Sequence, residues 1–231
     1  MAQVPADARD DQGPDAGVTL IELVVTMSVF GGVMLMIFAV LLAVQKDTVE
    51  VANRETAITV SRQAMAQIDR QIRSGNVLFA PGNEVEGLTN GTVGCELPPA
   101  PITPSDPTHP NAGNCMRIYT QSNGAQKCVQ WQVAKDPDRP ATKLLQTRSW
   151  TPGAGVVAPW SVVVRGLSGE NRVPFRLRGA ESAYHSRLVD VQLTVQVTGS
   201  TRTEDVATSL SGRNTFYGYD PNTCNPVPPA T

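Results

Sequence analysis

The sequence predicts an α+β fold, in which a long N-terminal helix packs on a C-terminal antiparallel β-sheet domain. Three observations predict it. An uncharged apolar run extends from Leu23 to Val44, a polar stretch with helical periodicity follows, and the remainder alternates β-type runs with turns. The chain has 231 residues and is 41% hydrophobic, so it can bury a core. Its net charge of −2 argues against a strongly basic nucleic-acid-binding surface.

Residues 1–17 differ in composition from the rest of the chain. They are acidic, contain Pro5, Gly13 and Pro14, and show no apolar periodicity. We therefore interpret them as a leader peptide that takes no part in the fold.

The apolar run is long enough to cross a membrane. Its 22 residues, Leu23 to Val44, would span roughly 33 Å as a helix. A secretory signal has a shorter apolar core of roughly 7–15 residues and a basic start, and this run has neither. The sequence thus predicts a transmembrane helix over residues 18–44.

A single carboxylate, Glu22, stands one residue before this run. A charged group at this depth needs a partner, and a plain anchor has no use for it. Glu22 lies five positions after Gly17 in the segment G-V-T-L-I-E-L-V-V, residues 17–25. This segment resembles the processing site of type IV prepilins and pseudopilins, although that family usually has a basic leader and Phe or Met where this chain has Val18.

The resemblance implies a maturation pathway and a set of partners. A prepilin peptidase would cut after Gly17 and N-methylate Val18, and the new α-ammonium would pair with Glu22 of a neighbouring subunit. The size of the chain is closer to larger minor pilins, of the J or W type, than to short major pilins. Other pilins or pseudopilins, the assembly platform protein and the cytoplasmic membrane would be its partners.

The same resemblance implies a function and a location. The chain would be a minor pilin or pseudopilin in a type IV pilus or a type II secretion-like filament, with a structural or assembly-priming role. Its globular domain would lie outside the cytoplasmic membrane, and the chain itself would need no cofactor. The alternative is a single-pass membrane protein that keeps residues 1–17 and binds a ligand or partner through its external domain.

Residues 45–75 predict an amphipathic helix that continues the membrane helix. Apolar residues recur every seven positions, and Gly75 is a plausible residue to end the helix. The repeat consists of Val44, Val51, Ile58, Met65 and Ile72, with Ile68 added. The stripe fits either a coiled-coil seam or packing on a sheet, and the β-type sequence that follows favours the sheet.

Residues 76–219 predict a β-rich globular domain. Met116–Thr120 and Lys127–Val133 flank a turn at Asn123-Gly124, which would place Met116 opposite Trp131 and Ile118 opposite Val129. Further strands are predicted at Val156–Arg165, Val173–Arg178 and Leu188–Thr198, the last pairing with a strand around Val206, Thr208 and Leu210. The Pro-rich stretch Glu96–Ala112 predicts a surface excursion, and residues 220–231 an irregular tail.

Residues for catalysis or metal binding are sparse in the sequence. Neither His109 nor His185 stands in a catalytic motif, and the chain has no phosphate-binding loop and no C-x-x-C pair. We therefore expect no enzyme activity and no bound metal. A cluster of arginines later in the chain predicts a solvated sheet face and no clear nucleic-acid site; its members are Arg172, Arg176, Arg178 and Arg187.

The four cysteines predict disulfides if the domain is exported. In the hairpin register, Cys128 would lie opposite Tyr119, four residues along the strand from Cys115. Although both cysteines share one face, this offset disfavours a bridge between them. Cys95–Cys115 and Cys128–Cys224 are the favoured pairs, with free thiols or a single bridge as the alternative.

Overall fold

The structure is a computed structural model that describes residues 19–84, 111–122, 124–168, 172–178, 187–212, 219–220, 222–225 and 227–228. The chain divides into two compact units, residues 1–49 and residues 50–231. Helix α1, Leu20–Ser74, contributes residues to both units. The prediction of one long N-terminal helix is confirmed.

In the first unit, the side chains of α1 are exposed throughout residues 20–49. Within the described part of the chain, α1 is the one helix long and apolar enough to cross a membrane. An exposed apolar surface of this extent is costly in water, because burial of such side chains drives folding.

In the second unit, α1 buries one stripe against the sheet. Ile68 and Ile72 have no exposed surface and belong to a core that includes Met116, Ile118 and Trp131. Complete burial of one such side chain contributes roughly 1.5–3 kcal/mol relative to exposure. Sheet packing is thus confirmed for Met65, Ile68 and Ile72, whereas Val44 and Val51 of the same predicted stripe are exposed.

Nine strands are present in the described residues, and every pairing among them is antiparallel. They are β1 (Gly75–Leu78), β2 (Ala112–Gly113), β3 (Cys115–Ser122), β4 (Ala125–Asp136), β5 (Arg139–Trp150), β6 (Ser161–Ser168), β7 (Phe175–Leu177), β8 (Leu188–Gln196) and β9 (Thr203–Ser211). The sheet curls through the order β1-β3-β4-β5-β6-β8-β7-β2, and β9 pairs with β8. The α+β prediction holds at this level.

The predicted hairpin is confirmed with its register. Met116 pairs with Trp131 and Ile118 with Val129 across β3 and β4. The turn is closed at Gly124, whose φ of 79° lies in the left-handed region that glycine adopts without a steric penalty.

The predicted pairing of β8 and β9 is also confirmed. Val189 pairs with Leu210 and Leu193 with Val206, along nine consecutive pairs without a bulge. Among the described strands, β9 pairs with β8 alone.

Other strand predictions were partly wrong. The run predicted from Val156 gives a strand only from Ser161, because Pro159 has no N–H to donate to a ladder. Strand β5 was not predicted, since its two faces are both partly buried and its polar and apolar residues do not alternate cleanly. The Pro-rich stretch ends in β2 at Ala112, an edge strand, and the preceding residues 85–110 lie outside the described residues.

Gly75 directly follows α1, but it begins β1 instead of forming a left-handed cap. Its small size is required by packing. A Cβ atom at this position would lie 2.8 Å from Cγ2 of Ile118 and 3.0 Å from the carbonyl oxygen of Ile72. The glycine thus allows the first strand to pass closely beneath the end of the helix.

The face of the sheet that is turned away from α1, here called the outer face, has its own core. Alternation along the strands puts Arg117, Tyr119, Cys128 and Gln130 on this face. The apolar part of this core consists of Val77, Tyr119, Cys128, Trp150, Val157 and Cys224. Cys224, in this core, belongs to the C-terminal tail, whose residues 222–224 form a turn.

Candidate functional site

The segment that carries the predicted processing site leads into the start of α1. Gly17 and Val18 lie outside the described residues. The backbone N–H of Glu22 donates to the carbonyl oxygen of Thr19 at 3.0 Å and approaches its Oγ1 at 3.4 Å. Thr19 therefore caps the helix, and the T-x-x-E pattern of residues 19–22 was the available sequence signal for this cap.

The side chain of Glu22 is exposed at the beginning of the apolar surface. The hydroxyl groups farther along this surface are satisfied within the helix. Thr26 Oγ1 donates to the carbonyl oxygen of Leu23 at 2.9 Å, and Ser28 Oγ to that of Val24 at 2.8 Å. Hydroxyls bonded in this way tolerate a lipid environment, whereas the carboxylate of Glu22 would need a partner wherever this segment lies in lipid.

A buried ion pair on the outer face was missed by sequence reasoning. Nη2 and Nε of Arg117 donate to Oε1 of Glu84 at 2.8 and 3.1 Å, and both side chains are fully buried. Glu84 ends a short 3₁₀ helix, Pro81–Glu84. The pair joins residues 33 positions apart, so no local pattern could have indicated it.

A second buried arginine lies next to this pair. Arg148 donates from Nε to Oε1 of Gln130 at 2.7 Å and stacks on the ring of Trp160 at 4.2 Å. Gln130 approaches Glu84 at 3.5 Å. Arg117 therefore binds the carboxylate of Glu84 directly, and Gln130 lies between that carboxylate and Arg148.

Burial dominates the electrostatics of this cluster. It raises the pKa of Glu84 to about 7, although Arg117 and Arg148 both act to lower it. It also lowers the pKa of Arg148 to about 10, against the opposing attraction of Glu84. Desolvation outweighs attraction here because all these charges have been removed from water.

The tail is fixed to this cluster by a covalent bond and by hydrogen bonds. Cys128 and Cys224 form a disulfide with their Cα atoms 5.9 Å apart. Arg117 Nη1 donates to the carbonyl oxygen of Cys224 at 2.7 Å and to Oδ1 of Asn225. The ring of Tyr219 packs edge-on against Tyr119, with centroids 5.7 Å apart.

The outcome for the cysteines follows from these contacts. The predicted Cys128–Cys224 bridge is confirmed, and so is the exclusion of a Cys115–Cys128 bridge. Cys115 is disulfide-bonded, and Cys95, its predicted partner, lies outside the described residues.

A cavity of about 380 Å³ opens between α1 and strands β6 and β8. Its apolar lining includes Ala57, Val164 and Val195, and Arg165 lies at its edge. Arg165 bonds the carboxylates of Asp136 and Asp138 at 2.7 and 2.8 Å, so its charge is already compensated.

No group of metal-ligating side chains is found in the described part of the chain. The two histidines, His109 and His185, lie outside the described residues. Of the arginines in the 172–187 segment, Arg178 bonds Asp190 at 2.6 Å and Arg172 pairs with Asp205. These ion pairs are typical of a solvated sheet surface.

Comparison of the chain with protein-family models, with curated proteins and with solved structures finds no match.

Proposed function

We propose that this chain is a minor pilin or pseudopilin, made as a precursor, cut after Gly17 and assembled into a type IV pilus or a type II secretion-like filament. The observation that carries the proposal is the segment of residues 17–25, with a glutamate five positions after a glycine at the entrance to an apolar run. The role of the chain is structural or assembly-priming.

The described residues support this proposal in two ways. From Leu20 to Val49, α1 exposes its apolar side chains. Such a surface is typical of a helix that packs in lipid or against other apolar helices. Beyond residue 60 the same helix is buried on one side by the sheet. One helix thus combines a surface for a membrane or filament core with an anchor for a folded domain.

The disulfide between Cys128 and Cys224 supports the proposed topology. Disulfides persist in oxidising compartments and are rare in the cytoplasm. With the apolar part of α1 in the cytoplasmic membrane, the globular domain lies on the extracytoplasmic side.

Mass spectrometry of the N-terminus tests the proposal. The full chain is produced in cells with and without a prepilin peptidase, and we expect an N-methylated Val18 terminus only with the peptidase. Gly17→Leu should leave the precursor uncut, because the bulky side chain obstructs the cleavage position. Gly13→Leu, in the same leader, is the matched control and should be processed normally.

Retention of residues 1–17 in cells that carry an active peptidase would contradict the assignment. That result would favour the single-pass membrane protein whose external domain binds a ligand or partner.

A further inference from the structure

Arg117 joins strand β3 to the C-terminal tail at the cysteine that forms the bridge. Its Nη1 donates to the backbone carbonyl oxygen of Cys224 at 2.7 Å and also to Oδ1 of Asn225. Cys224 is bonded through its Sγ to Cys128 of strand β4. The guanidinium therefore binds the peptide unit of one of the two bridged residues.

The direction of this guanidinium is fixed by groups outside the tail. Glu84 accepts from Nε and Nη2 through one carboxylate oxygen, Oε1, at 3.1 and 2.8 Å. The ring of Phe79 stacks on the guanidinium, with its centroid 4.1 Å from Cζ. Because the donors of a guanidinium form a rigid fork, these contacts aim Nη1 at the tail.

We propose that Arg117 is a positioning residue for disulfide formation. By binding the carbonyl group of Cys224, it places this thiol over strand β4 and selects Cys128 as its partner. Glu84 and Phe79 hold Arg117 in the orientation that this selection requires.

The chain needs such a selecting contact because the correct partners are far apart in sequence. Cys128 and Cys224 are separated by 96 positions, whereas Cys115 and Cys128 are separated by thirteen. In a flexible chain, loop-closure entropy favours the shorter loop by roughly twentyfold. The hairpin keeps Cys115 away from Cys128, since these residues pair with Gln132 and Tyr119, but it does nothing to bring Cys224 closer.

The oxidation itself is ordinary thiol–disulfide exchange with a disulfide oxidant such as oxidised glutathione. One thiolate attacks the oxidant and forms a mixed disulfide, and the second thiolate then displaces the remaining thiol. The two cysteines lose two protons and two electrons in total, and the oxidant leaves as two thiols. Arg117 exchanges no electrons and acts only on the approach of the two sulfur atoms.

Reoxidation of the reduced, detergent-solubilised full chain with oxidised glutathione tests this role, with non-reducing peptide mapping as the readout. In Arg117→Met we expect the Cys128–Cys224 bridge to form roughly tenfold more slowly, since at least one hydrogen bond to a charged donor is lost. We also expect a larger share of the chains to form the Cys115–Cys128 bridge.

Arg148→Met is the matched control. Arg148 is the other buried arginine near Glu84, and among the described residues its guanidinium donates to Gln130 and stacks on Trp160, not on the tail. Its loss should lower stability while the rate and the pattern of bridge formation stay close to those of the wild type.

Equal slowing in both variants would overturn the proposal, because general destabilisation would then explain the effect. A wild-type rate and pattern in Arg117→Met would overturn it as well. If Arg117→Met does not fold, Asn225→Ala decides, since it removes one acceptor of Arg117 and leaves the ion pair intact. Slower bridge formation in Asn225→Ala supports the proposal, and an unchanged rate refutes it. The assay is independent of whether the chain is a pilin.

Discussion

Glu84 is a carboxyl group without exposed surface, bound by Arg117 and close enough to Arg148 to feel its charge. Burial raises its pKa from 4.5 to about 7, so the folded chain holds a proton at this position more tightly than the unfolded chain does. Stability that depends on this proton is present at low pH and is lost as the pH rises through the folded-state pKa.

The free energy of unfolding should therefore fall as the pH rises from about 4.5 to about 7, and Glu84 should contribute at most about 3 kcal/mol to this fall. Urea unfolding of the full chain at a series of pH values measures it. Glu84→Gln should remove this part of the pH dependence, whereas Glu55→Gln, at an exposed site on α1, should retain it. Equal slopes for the wild type and Glu84→Gln would contradict this account.

Single residues were predictable where a local rule applies to them. The turn at Gly124 and the exclusion of a Cys115–Cys128 bridge both follow from the hairpin register. Arg117 was not predictable, because a polar residue that alternates with Met116 and Ile118 normally faces solvent. It faces a second core here because the tail and the 3₁₀ helix cover that side of the sheet.

Helix α1 is an element with two surfaces, and burial changes along its length. The predicted heptad repeat is buried only from Met65 onward, and Val51 remains 55% exposed. The sequence could not reveal this limit, since the spacing of apolar residues is the same on both sides of it.

Two substitutions on this helix should separate the buried part from the exposed part. Ile68→Ala should lower the stability of the domain by about 2–5 kcal/mol, because it leaves a cavity beneath a fully buried residue. Val51→Ala should change it by no more than about 0.5 kcal/mol. Thermal or urea unfolding measures both, and similar losses for the two variants would show that the core extends farther along α1.

The strands also differ in whether the sequence predicts them. Strand β8 was predicted because its inner residues alternate with polar ones, as in a half-buried strand. Strand β1 escaped prediction, since its four residues are all buried and Gly75 and Asn76 are poor strand formers.

At the scale of the whole molecule, Glu22 should be needed for assembly and not for cleavage. Glu22→Ala removes the carboxylate that a neighbouring α-ammonium would use, while the helix cap persists because it uses the backbone N–H of residue 22. We expect normal processing at Gly17, normal membrane insertion and a marked loss of recruitment into filaments. The amounts of the chain in purified filaments and in membranes measure how much of the inserted protein is recruited.

Glu55→Ala, an exposed glutamate on the same helix, is the control and should be recruited normally. Recruitment of Glu22→Ala at the wild-type level would show that pairing with a neighbouring subunit does not involve this carboxylate.

The general plan of the molecule was predictable because the apolar run, the amphipathic stretch and the alternating strands each have a distinct period. The order of the strands was not, since β6, β7 and β9 all border β8 through pairings that no local pattern specifies. The outer core depends on contacts between distant segments and was therefore also missed.

Strand β9 has a consequence for the solubility of this protein. Its outer row of backbone N–H and C=O groups is paired with no strand in the described part of the chain, and its nine residues include neither Pro nor Lys. The two acidic residues at its start, Glu204 and Asp205, form ion pairs with Arg54 and Arg172, which reduces the charge that would repel another chain. Natural sheets usually protect such edges with bulges, prolines or unpaired charges. When lipid or detergent covers the apolar part of α1, we therefore expect a foreign strand to add along β9 in concentrated protein.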